Sequence, residues 1–252
     1  MKKIFLYILA GSLCFTACKK DDEVSTYVEP EDITTQNTYD DQAIKKFMDE
    51  NYLDAQGNIK AFSSTDTSDD NEKKLSELNP VTLPSGTIYI MRTGAQPSPA
   101  DEQVIGSTDI IKVMMKATTY LAINSDGKSS FTAATDFMNT INGTGIPAVD
   151  PKFYYTAPND PLITNATTDA AKKQSYYMIE GFSEALQKFK AFNNYSSSEP
   201  YNLQGVIIVP SRAAFARDPY FPYNYPGYSQ VISLRNKTFV FNFQVYNRAT
   251  RP

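Results

Sequence analysis

Histidine is missing from all 252 residues, and the only two cysteines stand at positions 14 and 18. Without imidazole there is no Ser-His-Asp or Cys-His nucleophile system, no His-based general acid–base pair, and little with which to build a zinc site. What remains for chemistry is carboxylates, hydroxyls or the shape of an apolar surface. We therefore expect neither metal nor cofactor. With 24 basic against 28 acidic residues and no basic cluster, the chain is also a poor partner for nucleic acid. The densest aromatic run, residues 219–228, places tyrosines at 220, 223, 225 and 228. That spacing suits a platform for a glycan or a peptide, or, more commonly for Pro-Tyr runs, a loop packed over a cleft.

The first residues read as a targeting segment. Met1-Lys2-Lys3 is a positive start, and residues 4–13 form an apolar run too short to span a bilayer. The run leads into Phe15-Thr16-Ala17-Cys18, which resembles the lipobox of bacterial lipoproteins. The resemblance implies cleavage behind Ala17, so that residues 1–17 are a signal peptide, and acylation of Cys18. The mature chain would then hold neither a disulfide nor a free thiol, because Cys14 leaves with the signal peptide. Its formal charge would move from −4 to −6 on loss of Lys2 and Lys3. The run Lys19-Lys20-Asp21-Asp22-Glu23 matches a signal for display on the outer leaflet, or is simply a solvated tether. The expected location is the cell envelope, anchored to the outer membrane by lipid, on its periplasmic or surface side. Acyl chains would be the only membrane contact.

The elements that would position a site follow along the mature chain. Residues 18–38 are polar and read as a lipidated tether. A helix is expected over residues 40–53, capped by Asp40 or Asp41, with Ile44, Phe47 and Met48 on one face that docks against the main domain. Residues 54–58 end it in a turn, and residues 39–80 as a whole form an N-terminal extension and linker. A strand follows near residues 84–91, with further strands within 107–123. Asn124-Ser125-Asp126-Gly127-Lys128 is a strong turn. Residues 181–190 form one short central helix with Phe182, Leu186 and Phe189 on its core side and an outward Glu184–Lys188 pair. Strands at 205–209 and 238–246 complete the pattern. Residues 133–175, rich in glycine and proline and carrying Phe153-Tyr154-Tyr155, have no assignable element and read as an insertion.

Three blocks, taken in order, carry a resemblance. They are Tyr177-Met178-Ile179-Glu180-Gly181-Phe182-Ser183-Glu184-Ala185-Leu186, then Val206-Ile207-Ile208-Val209-Pro210-Ser211-Arg212-Ala213-Ala214-Phe215, then Lys237-Thr238-Phe239-Val240-Phe241-Asn242-Phe243-Gln244-Val245. They resemble the V-I-x-G-W-x-x-G-L, I-P-x-x-x-A-Y-G and T-L-x-F-x-V-x-L blocks of FKBP-type peptidyl-prolyl isomerases. The resemblance implies an α+β fold: a twisted antiparallel sheet wrapped around one short helix, preceded by the helical extension. The FKBP-like domain would cover residues 81–252, with insertions near 133–175 and 216–232.

It also implies a cleft. Ile179 would offer its backbone N–H to the peptide carbonyl beside the proline, with Met178 as a wall. Phe182 would form the floor in place of tryptophan, and Phe131 and Phe241 would flank the proline ring. Phe215 takes the place of a ligand-binding tyrosine, Met115 that of another tyrosine, and Ala117 that of a glycine. Thr132 stands where the family has an aspartate, which Asp136 would replace only if the loop shifts by one residue.

Prolyl isomerisation needs no nucleophile. Its barrier of roughly 18–20 kcal/mol is amide resonance, and a dry pocket lowers it by favouring the twisted amide. The first expectation is therefore a lipid-anchored isomerase, of weakened activity, acting on proline-containing peptides or exported protein clients. The alternative is a catalytically inactive FKBP-like module that binds a peptide or other ligand at the envelope. Phe182, Phe241 and Ile179 would equally serve as core in any α+β domain. Filling of their pocket by residues 133–175 or 217–230 would favour the inactive module.

Overall fold

The computed structural model describes residues 27–223 and 233–252. The signal peptide, Cys18, the first part of the tether, and Tyr225 and Tyr228 lie outside the described residues.

Asp32 starts the first helix. Its side chain accepts from the Thr34 N–H at 2.9 Å, and α1 runs Ile33–Glu50. The helix thus begins earlier than its apolar stripe suggests, and residues 33–38 belong to it rather than to a tether. Asp40 is not a cap but a buried residue in the middle of the helix. A small hairpin, β1 (Asn51–Leu53) and β2 (Ile59–Ala61), follows around the 54–58 turn.

The remaining strands are β3 (Val81–Thr82), β4 (Ile88–Met91), β5 (Glu102–Val104), β6 (Ile110–Ser125), β7 (Lys128–Asn139), β8 (Ala148–Val149), β9 (Lys190–Phe192), β10 (Gly205–Val209) and β11 (Lys237–Ala249). Two short helices, α2 (Pro161–Thr164) and α3 (Glu180–Leu186), lie between β8 and β9. Seven strands form one antiparallel sheet in the order β3-β4-β10-β11-β6-β7, with β8 also paired to β6. The fold is α+β, with a curled antiparallel sheet and few helices, compatible with a twisted sheet wrapped around a helix. No helix among the described residues is long and apolar enough to cross a membrane.

What was expected as several strands within 107–123 is one 16-residue strand, β6. It turns into β7 through Asp126 and Gly127, whose φ values of 52° and 77° suit a two-residue hairpin of primed type. β7 then holds two register shifts against β6. Each inserts an extra residue into β7, bends the strand and reverses which side chains face the core.

The sheet is covered on both faces, which is why nearly all of β11 is buried. Phe239, Phe241, Phe243 and Val245 alternate onto an inner face, where Phe182, Ala185 and Leu186 of α3 pack. Val240 of β11 and Val206 and Ile208 of β10 alternate onto the outer face, where Ile44 and Met48 of α1 cover them. The expected docking of the helical extension is therefore how the outer face is closed. Each such fully buried aliphatic or aromatic side chain stabilises the fold by about 1.5–3 kcal/mol.

The central helix is shorter than expected. α3 ends at Leu186, so Lys188 is outside it, and Glu184 Oε2 accepts from Ser85 Oγ at 2.6 Å.

Candidate functional site

The N-terminus of α3 brings the expected cleft residues together. Ile179 is its N-cap, and Phe182 projects one turn later onto the inner face of the sheet. There the Phe182 and Phe241 rings meet at 4.3 Å between centroids. Met115 joins the same core from β6, and its N–H donates to Thr140 Oγ1 at 2.9 Å. Phe215 lies at the edge, 6.0 Å from Phe239 and 5.5 Å from Tyr220. Met178 is half-buried beside Ile179.

Two expected members stand elsewhere. Phe131 is on the outer face, 5.8 Å from Phe47 of α1 and 4.9 Å from Tyr120. The reason is the register shift between the Thr119 and Leu121 pairings, which falls between Phe131 and the inward-facing part of β7. Thr132 is exposed in β7, opposite Leu121, and takes no part in the cleft. Asp136 of β7 is half-buried and pairs with Thr118 of β6, next to the residue that does reach the core.

That residue is Phe137. Its ring lies 5.0 Å from Phe239, 6.4 Å from Phe241 and 5.2 Å from Phe153. Phe153 is the decisive neighbour. It stacks on Phe241 at 5.8 Å and leans on Phe182 at 5.5 Å. Its carbonyl accepts the Ile179 N–H at 2.8 Å. Phe153, Phe182, Phe241 and Ile179 are all 1% exposed or less. Within residues 133–175 it is therefore Phe137 and Phe153 that fill the space beside Ile179, Phe182 and Phe241.

The filling segment is well secured. Tyr154 is buried and its hydroxyl donates to the Gly106 carbonyl at 2.5 Å, while Ser183 Oγ donates to the Tyr154 carbonyl. Burial pushes the Tyr154 phenol well above its ordinary pKa, so it stays a donor. Arg251 grips Asp150 with Nη1 at 3.0 Å and Nη2 at 2.5 Å, and lies 4.9 Å over the Tyr155 ring. Lys152 pairs with Asp160 at 2.7 Å.

Tyr223 closes the mouth. Its hydroxyl donates to the Tyr177 carbonyl and its ring meets Phe137 at 5.3 Å. Burial also raises its pKa. Tyr220 packs against the same core, so the two described tyrosines of the aromatic run cover the cleft rather than form a platform.

The contributions of Phe137 and Phe153 were hidden in the sequence. Phe137 shares parity with Phe131, and only a bulge separates their faces. The Phe153-Tyr154-Tyr155 trio was visible as an aromatic cluster, but without periodicity it carried no direction.

No protein-family model matches this sequence, and no curated protein matches it either. The arrangement itself is an aromatic cluster with one backbone amide at its edge, and that amide already has a partner. Among the described residues it offers shape and exclusion of water, and its Tyr154 and Tyr223 hydroxyls are spent on backbone carbonyls.

Proposed function

We propose that this chain is a divergent FKBP-like lipoprotein module of the cell envelope, held at the outer membrane by acylated Cys18, whose prolyl cleft has become core. It acts as a binding module and does not turn over X-Pro bonds. The observation that carries this reading is the Ile179–Phe153 pair. The amide that would receive a substrate carbonyl is bonded to the chain's own carbonyl at 2.8 Å, and the attached ring occupies the space a proline ring needs. A substrate would have to expel Phe153, whose complete loss from such a core costs about 3–5 kcal/mol. The departures at Phe215, Met115 and Thr132, each lacking the polar group the resemblance calls for, support the same reading.

The test is cis/trans exchange of short X-Pro peptides followed by NMR with the full chain in mild detergent. No acceleration is expected for any residue before the proline. Acceleration by the wild type that is lost in Met178→Ala would instead establish an isomerase, with proline-containing exported proteins as clients. The anchor is tested separately by mass spectrometry of the mature N-terminus. Diacylated or triacylated Cys18 is expected, and its absence together with an unchanged soluble fraction in Cys18→Ser would overturn the lipid anchor.

A further inference from the structure

A cavity of about 410 Å³ lies on the outer face of the sheet. It is bounded by the last turn of α1, the β1–β2 hairpin, the outward positions of β6 and β11, and by Asn142 and Tyr201. Val240 and Asn242 form its floor and are 3% and 4% exposed. Asn242 also fixes the wall. Its Oδ1 accepts from the Ile59 N–H at 3.3 Å, and its Nδ2 donates to the carbonyls of Gly57 at 2.9 Å and Gly205 at 3.1 Å. These three hydrogen bonds bolt the hairpin to the sheet and fix one wall of the cavity.

Three kinds of group line it. Phe47 and Tyr120, with centroids 5.5 Å apart, give an apolar wall. Gln56 and Asn142 bring side-chain amides, each able to donate and accept at once and so matched to neighbouring hydroxyls, while the Asn58 amide is committed to Asp54 and to the Tyr201 hydroxyl. Asn51 Nδ2 is committed to the Phe47 carbonyl at 2.7 Å, and no described residue donates to its Oδ1.

The third kind is charge. Lys60 and Lys116 stand exposed at the rim, and neither forms an ion pair among the described residues. Asp54 is the one acid lining the cavity, and its carboxylate is spent on the hairpin turn. Oδ1 accepts from the Gln56 and Asn58 amides at 2.9 and 2.8 Å, and Oδ2 from Asn58 Nδ2 at 2.9 Å. Accepting these bonds does not remove the Asp54 charge, so two lysines and one carboxylate leave a net single positive charge over a cavity of amides with one aromatic side, in a chain of formal charge −4.

We propose that this cavity binds an acidic saccharide of one or two rings. The carboxylate meets Lys60 and Lys116, the hydroxyls meet the amides, and the C–H face of a ring lies against Phe47 and Tyr120. A bare anion would use the lysines and leave the amides and the aromatic wall without a role. A neutral sugar would leave the two lysines without one. The assignment does not depend on the state of the prolyl cleft, which lies on the other face of the sheet, so activity there would leave it intact.

The experiment is calorimetric titration of the full chain in mild detergent with glucuronate, glucose and inorganic phosphate. Glucuronate is expected to saturate and to bind at least about tenfold more tightly than either glucose or phosphate. The double variant Lys60→Gln, Lys116→Gln is expected to lose at least about tenfold of that affinity with an unchanged melting temperature, since both side chains are exposed. Asn142→Ala, also exposed, should weaken glucuronate several-fold. Absence of saturable glucuronate binding, equal affinity for glucose or phosphate, or undiminished binding by the double variant would each overturn the assignment.

Discussion

Asp40 Oδ2 accepts from both the amide and the hydroxyl of Ser211, at 2.9 and 2.5 Å, and so ties the middle of α1 to the end of β10 across 171 positions of sequence. Gln36 Nε2 donates to the other oxygen at 3.1 Å. The carboxylate is fully buried, and desolvation raises its pKa above the ordinary 3.8 despite these donors.

This has a consequence for stability against pH. The folded chain keeps the Asp40 proton to a higher pH than the unfolded chain, so it binds more protons through that window. The Asp40 contribution therefore falls as pH rises from near 3.8 through the raised folded value, and levels off above it. Asp40→Asn does not titrate. Denaturation of both proteins across the acid range should show wild type losing ground to the variant as pH rises, by at most about 1.4 kcal/mol per pH unit. A difference that is flat, or that grows the other way, would place Asp40 among the ordinary paired carboxylates.

The two phenylalanines expected to flank one proline ring should behave as members of different clusters. Phe241→Ala removes a fully buried ring at the centre of the inner core and should cost about 3–5 kcal/mol in chemical denaturation. Phe131→Ala, half-buried beneath α1, should cost clearly less, about 1–2 kcal/mol. Combined, the two effects should add, because the side chains share no partner.

Arg251 should act as the latch of the filling segment. Its bidentate bond to Asp150 and its position over Tyr155 restrain the residues just before and after Phe153. Arg251→Ala is expected to cost about 1–2 kcal/mol. Hydrogen exchange at the Ile179 amide should quicken with it, because that amide is protected by the Phe153 carbonyl. Exchange unchanged at Ile179 alongside faster exchange elsewhere would show that Arg251 does not restrain the segment.

Gly181 sits where α3 packs against the end of β10 and against Thr87, just before β4. A Cβ there would lie 2.3 Å from Thr87 Oγ1 and 2.7 Å from Val209 Cγ1. Gly181→Ala should therefore destabilise by about 1–3 kcal/mol through overpacking, although alanine favours a helix interior by up to about 1 kcal/mol. A variant more stable than wild type in urea would mean that α3 can shift outward at little cost.

Local rules were enough for much of this molecule. The Asp126-Gly127 turn, the strict alternation from Phe239 to Val245 and the apolar stripe of Ile44 and Met48 are all legible, because each depends on neighbours within a turn or a pleat. The absence of histidine likewise restricts the chemistry through composition alone. The helix start is not legible, because Asp40 looks like a cap while its partner is Ser211, far away in sequence. The side of the sheet taken by Phe131 was decided by a bulge, and alternation cannot see an inserted residue. Above all, the seat of Phe153 between Phe182 and Phe241 was set by a carbonyl meeting the Ile179 amide 26 positions later. Residue types named the aromatics available, but only packing in three dimensions could determine that Phe153 seats between Phe182 and Phe241.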